Sequence, residues 1–131
     1  MLFDFDLTVP RRTAVDNPAV YTAKLTRGTL TEIRVIFPPG PATLVYCVVR
    51  DRLHQIMPAN PEGSLNFDDS TVISRMEYDL TDPPYELLLY GWSPYTNYEH
   101  TITFQFELQP VGKDNWQDFL QYLFAAQASA G

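Results

Sequence analysis

Cysteine is nearly absent. Cys47 stands alone, so no internal disulfide framework holds this fold together. Its neighbours Leu44, Val45, Val48 and Val49 describe an apolar strand and an inert core thiol, not an activated thiolate. Histidine is almost as scarce: His54 and His100 are the only two and form no His-x-His pair, whereas a metal centre needs several such ligands converging. Neither Gly-x-Gly-x-x-Gly nor a P-loop pattern occurs among the six glycines, which removes the usual phosphate cradles. There is no Gly-x-Ser-x-Gly elbow. No apolar run approaches the roughly 18–20 residues of a membrane span. Nine Lys and Arg against sixteen Asp and Glu leave a formal charge of −7, which disfavours a counterion-displacing grip on nucleic acid. The expectation is a non-enzymatic chain with no metal or cofactor, no nucleic-acid partner and no membrane span.

The first residues, Met-Leu-Phe-Asp-Phe-Asp, are acidic where a signal peptide is basic, and no Asn-x-Ser/Thr acceptor occurs. A soluble product of the cytosol is expected. The charge is uneven along the chain: residues 1–52 carry seven cations and five anions, whereas 53–131 carry two cations and eleven anions. Intramolecular pairing with a solvated acidic surface accounts for this, and so does charge complementarity between neighbouring copies in an assembly.

What the chain has in quantity is alternation. His100, Ile102, Phe104, Phe106 and Leu108 share one parity and Glu99, Thr101, Thr103, Gln105 and Glu107 the other, the pattern of a half-buried strand. His100 is read as a structural histidine at the core margin. Phe3, Phe5, Leu7 and Val9 alternate with Asp4, Asp6 and Thr8 in the same way. Val20–Thr26 and Leu30–Phe37 flank Arg27-Gly28 and read as a hairpin. Ala42–Arg50 is apolar on both faces, as in a central strand, and Leu53–Met57 continues it past a bend at Asp51-Arg52. Pro58–Ser70 is an exposed, turn-rich loop. Asn66, Asp68 and Asp69 within it supply hard oxygens of the kind calcium takes, although a solvated acidic loop with Asx turns explains the same residues. Thr71–Leu80 and Tyr85–Trp92 complete about eight strands.

Short strands with proline-marked turns predict an all-β fold: a single antiparallel β-sandwich, jelly-roll-like, over residues 1–110. The stretch 111–131 differs. Trp116, Phe119, Leu120, Leu123 and Phe124 fall on one helical stripe, behind a capping-box pattern at Asp114 and Gln117. This predicts one C-terminal amphipathic helix, either part of the same domain or a docking element. Trp116, Phe119, Leu120 and Leu123 are its candidate partner-binding residues.

Tyr90, Trp92, Tyr95 and Tyr98 gather around Ser93-Pro94, and such rings supply large contact areas at low entropic cost. Trp92, Tyr95 and Tyr98 are therefore candidate partner-binding residues for a protein or, alternatively, a glycan. A plainer reading buries Trp92 and one of the tyrosines in the core.

In its size, lone cysteine, acidic balance and Pro-Pro-Gly, Asp-Pro-Pro-Tyr and Tyr-Glu-His-Thr-Ile-Thr segments, the stretch from Phe3 to Leu108 resembles the β-sandwich decoration proteins of bacteriophage capsids. The resemblance is architectural and carries no functional residue over. It implies a virion structural protein made in the host cytoplasm, often a trimer, that docks on a capsid shell and reinforces it. A carbohydrate-binding or adhesin module using Trp92, Tyr95 and Tyr98 is the alternative.

Overall fold

The computed structural model describes residues 1–110. The expected C-terminal helix, with Trp116, Phe119, Leu120 and Leu123, lies outside the described residues. Eight strands are present: β1 (Leu2–Val9), β2 (Ala19–Lys24), β3 (Gly28–Phe37), β4 (Tyr46–Asp51), β5 (His54–Met57), β6 (Ser70–Leu80), β7 (Glu86–Trp92) and β8 (His100–Pro110). They form two antiparallel sheets of four, in the orders β1-β8-β3-β6 and β2-β7-β4-β5.

The strand pairs are nested. β4 pairs with β5, β3 with β6, β2 with β7 and β1 with β8, as though one long hairpin had been wrapped around a core. This is the strand order of a jelly roll. Among the described residues no helix is long and apolar enough to cross a membrane.

The alternating segments behave as their period demands. Ile102, Phe104, Phe106 and Leu108 of β8 and Leu7 and Val9 of β1 point inward, as do Ile33, Val35 and Phe37 of β3. From the other sheet, Ala23, Cys47, Val49, Leu87 and Leu89 meet them in one continuous core. Each large side chain fully buried there contributes about 1.5–3 kcal/mol of transfer free energy. Cys47 is in the core as expected, and burial pushes its thiol far above the ordinary range.

Three local expectations need correction. The segments either side of Arg27-Gly28 are not a hairpin: β2 pairs with β7 in one sheet, and β3 with β6 and β8 in the other. Gly28 serves a close approach instead, because a Cβ there would run into the Gln109 carbonyl oxygen and stand 2.9 Å from Pro110 Cα. Leu53–Met57 does not continue the preceding strand. Arg52 adopts φ 57° and turns the chain back, so that β5 pairs antiparallel with β4. Finally, the strand read from Ala42 begins at Tyr46, since Ala42 and Thr43 have φ of 50° and 64° and belong to a turn.

Candidate functional site

The two outer faces of the sandwich differ in chemistry. On the β1-β8-β3-β6 sheet the outward residues are mostly polar and bonded to one another, with Leu2, Ile36 and Ile73 interspersed. Thr8 and Thr101 share a hydrogen bond at 3.0 Å, and Thr103 donates to Asp6 at 2.8 Å. Arg34 donates to Gln105 at 3.2 Å and pairs with Glu32 at 2.7 Å, while Thr29 donates to Asp79 at 2.8 Å. This is the ordinary outside of an antiparallel sheet, hydrophobic within and polar without.

The β2-β7-β4-β5 sheet breaks that rule. Leu87 and Leu89 of β7 point into the core, so Leu88, Tyr90 and Trp92 face outward. Register sets Tyr46 opposite Trp92, Val48 opposite Tyr90 and Arg50 opposite Leu88, with Val20 of β2 on the far side of Tyr90. Tyr46 and Trp92 stack with centroids 5.9 Å apart and planes 8° from parallel. The Arg50 guanidinium lies 5.1 Å from the centre of the Tyr90 ring, a cation–π contact. Val48 is buried yet stands outside the core cluster, and Val20 is half exposed. The result is a band of aromatic and aliphatic side chains, bordered by one cation, on the surface of a sheet.

Nesting also gathers four loops at one end. Val9 lies opposite His100, Phe37 opposite Ser70, Ala19 opposite Gly91 and Tyr46 opposite Trp92. Loops 10–18, 38–45, 58–69 and 93–99 therefore leave the sandwich together. Side chains and backbone brace them. Arg12 donates to Asn97 at 3.0 Å, Ser93 donates through Oγ to the Pro10 carbonyl at 2.8 Å, and the Ser93 N–H donates to the Thr13 carbonyl at 2.9 Å. Asp68 accepts the N–H groups of Gly40 and Ala42 at 3.0 and 2.9 Å, and Asn66 donates to the Thr43 carbonyl at 3.2 Å. The residues considered for calcium thus tie one loop to another. The Gln55 amide nitrogen is ringed by the carbonyls of Pro58, Asn60 and Gly63 at 2.9–3.0 Å, which fastens the start of the 58–69 loop.

Of the residues expected from sequence, Trp92 lies on the outer face. It is half-buried against Tyr46, and the reading that put it in the core is corrected. Tyr95 and Tyr98 stand on the 93–99 loop and are 75% and 78% exposed. Tyr98 borders an open hollow of about 440 Å³ with Pro10, Arg11, Asn97 and Glu99. His100 is half-buried at the start of β8, its ring beside Gly40. Tyr46, Val48, Arg50 and Leu88 were not singled out from sequence, although the two-faced apolar character of Ala42–Arg50 was the available signal.

A second feature lies where the sandwich is open between β5 and β6. His54 stacks on Tyr78 at 6.1 Å, and the Tyr78 hydroxyl donates to Asp51 at 2.7 Å. Burial first, and then the bond to Asp51, push the Tyr78 phenol up to about 12. His54 and Tyr78 border a cleft of about 350 Å³, which Ile56 and Met76 also line.

No protein-family model and no curated protein matches the chain. Among solved structures, it is similar to the mitogen derived from Yersinia pseudotuberculosis at 8% identity and TM-score 0.41, with 87% of this chain and 91% of that one covered. A de novo designed double-stranded β-helix is similar at 13% identity and TM-score 0.40, covering 80% and 99%. A chain of the Kashmir bee virus empty particle at acidic pH is similar at 11% identity and TM-score 0.38, covering 83% and 89%.

Proposed function

We propose that this chain is a non-enzymatic docking protein that attaches to a large protein assembly, in its specific form a decoration protein on a viral capsid shell. The supporting observation is the contrast between the two outer faces: a mostly polar, cross-linked ladder on one, and on the other the half-buried rings of Tyr46, Tyr90 and Trp92 with Leu88 and the exposed Val20 beside them. An outward aromatic band costs solubility unless something covers it, and stacked Tyr and Trp with a neighbouring Arg are the side chains that anchor protein interfaces. The virion is then where the protein works.

The test is co-sedimentation with shells assembled from a major capsid gene adjacent to the gene for this chain. Wild-type protein should pellet with the shells, and the Tyr90→Ala/Trp92→Ala double variant should stay in the supernatant while keeping its fold by circular dichroism. Absence of such a gene, or a wild-type chain that never pellets, defeats the proposal. The exposure of Tyr95 and Tyr98, with Arg11, Asn97 and Glu99 around the hollow beside Tyr98, favours glycan stacking as a second reading. A glycan-array signal lost in Tyr98→Ser would put that reading in place of the first.

A further inference from the structure

β6 is the edge of its sheet and one of the two longest strands of the fold. It pairs with β3 on one side, and among the described residues no strand pairs with the other side. The two long sides of the sandwich are unlike. On one, β1 and β2 close against each other, with Phe5 on Tyr21 at 5.8 Å. On the other, β5 spans only His54–Met57 against the full length of β6, leaving the cleft beside Met76 and Tyr78. A long edge that pairs with no strand among the described residues is a template for another strand.

The side chains say which strand. The ladder with β3 shifts register between Arg75 and Tyr78, yet burial alternates without a break from Thr71 to Asp79, so Ile73, Arg75, Glu77 and Asp79 share the solvent face. Ile73 is 54% exposed, and the Arg75 side chain is 85% exposed with one long contact to Glu32 at 3.4 Å. An antiparallel copy of the same strand has few registers to choose from. Centring on Arg75 sets it against its own copy, and centring on Glu77 pairs Arg75 with Asp79 but opposes the two Glu77 side chains on the axis. Centring on Tyr78 opposes Glu77 to Asp79, two like charges, and centring on Ser74 forms no charge pair. Centring on Met76 sets Arg75 against Glu77 twice over, with no like charges opposed. Opposite charges directly across a ladder stabilise it and like charges oppose it.

We propose that the free edge of β6 binds a second copy of this chain, antiparallel and two-fold symmetric about Met76, joining two four-stranded sheets into one. Such an interface is isologous and closes on itself, so it gives a dimer and not the trimer that the capsid resemblance implies. The two Met76 side chains meet on the axis, and the cleft of each copy lies beside the other.

Sedimentation velocity of the full chain over a concentration series tests this. Wild-type protein should dimerise reversibly. Glu77→Arg opposes two arginine pairs across the axis and leaves the Arg75–Glu32 contact untouched, so the dimer should weaken by about tenfold or more. The swap R75E/E77R restores opposite charges and should restore the dimer, while E77R with wild-type Arg75 remains monomeric with an unchanged melting curve. A wild-type chain that stays monomeric at high concentration overturns the proposal, and so does a dimer that E77R leaves intact. Because Trp92 lies on the other sheet, a Trp92→Ala variant that loses shell binding should still dimerise. Failure of either proposal is thereby told from failure of the other.

Discussion

Replacing Gly91 by alanine should loosen the sandwich, because at this glycine the side chains of β1 press directly on the backbone of the other sheet. It sits in β7 between Ala19 and Cys47, and its empty side faces the other sheet. A Cβ there would stand 2.6 Å from Val9 Cγ2 and 3.0 Å from Leu7 Cδ2. Carbon atoms attract at about 3.5–4.0 Å, so the added methyl is roughly 1 Å too near. Val9 is fully buried and has nowhere to retreat. Overpacking of this kind costs about 1–3 kcal/mol, and loss of glycine's freedom in the unfolded chain returns about 0.4–1. A net loss of about 1–2 kcal/mol is expected. Val9→Ala alone removes two buried methyl groups and should cost about 2–3 kcal/mol with its cavity. In the double variant the new methyl fills the space that Val9 vacates, so the loss should fall short of the sum by about 1 kcal/mol or more. Urea denaturation followed by far-ultraviolet circular dichroism measures all four proteins. Wild-type stability for Gly91→Ala, or strict additivity in the double variant, would refute the close-packing account.

Three further outcomes follow from the site geometry. Tyr78→Phe removes the bond to Asp51 and should cost about 1 kcal/mol at neutral pH. The folded phenol lies at about 12, above its unfolded value of 10.0, so its contribution is complete below pH 10 and disappears as the pH rises towards 12. Urea midpoints of wild type and Tyr78→Phe should therefore converge above pH 10, and a constant gap would contradict this. Gln55→Ala strips the amide from the carbonyls of Pro58, Asn60 and Gly63, with an expected loss of about 1–3 kcal/mol. Limited proteolysis should then cut within 58–69 before anywhere else in the sandwich. Asp68→Ala frees the N–H groups of Gly40 and Ala42 on an exposed loop, costing about 0.5–1.5 kcal/mol. Hydrogen exchange at those two amides should accelerate while the strands stay protected.

Strands with one buried and one wet face were legible from sequence, which is why β1 and β8 come out at nearly their full lengths. A period of two is a direct image of the pleat. Turn chemistry was less informative. Arg27-Gly28 carries the residues of a tight hairpin, yet the chain passes there from one sheet to the other, because the constraint on Gly28 is the backbone of β8 and not the turn. At Arg52 the reversal uses a left-handed residue that is neither glycine nor asparagine, so the bend read at Asp51-Arg52 was not legible as a full turn-back. The docking surface was half visible. The Tyr and Trp cluster could be seen, but two-faced apolar character at Tyr46–Arg50 suggests burial on both sides, whereas only one side meets the core. Parity from Gly91 settles the point: with the glycine pressed on Val9, Trp92 has to face out.

The nested pairing has a consequence for how the chain acquires its shape. Only β4 and β5 are neighbours along the sequence, and each pair outside them joins segments further apart, ending with Leu2 against Glu107. Closing the outer loops first would cost the most chain entropy, whereas each inner pair that forms shortens the span the next must bridge. Assembly should run outward from the β4–β5 turn, an order that pulsed hydrogen-exchange labelling during refolding reads directly. The first sheet would then be the last to close, when β8 enters between β1 and β3. Until that moment Phe104 and Phe106 have no core to enter, and the inner faces of β1 and β3 lie open to water and to other chains.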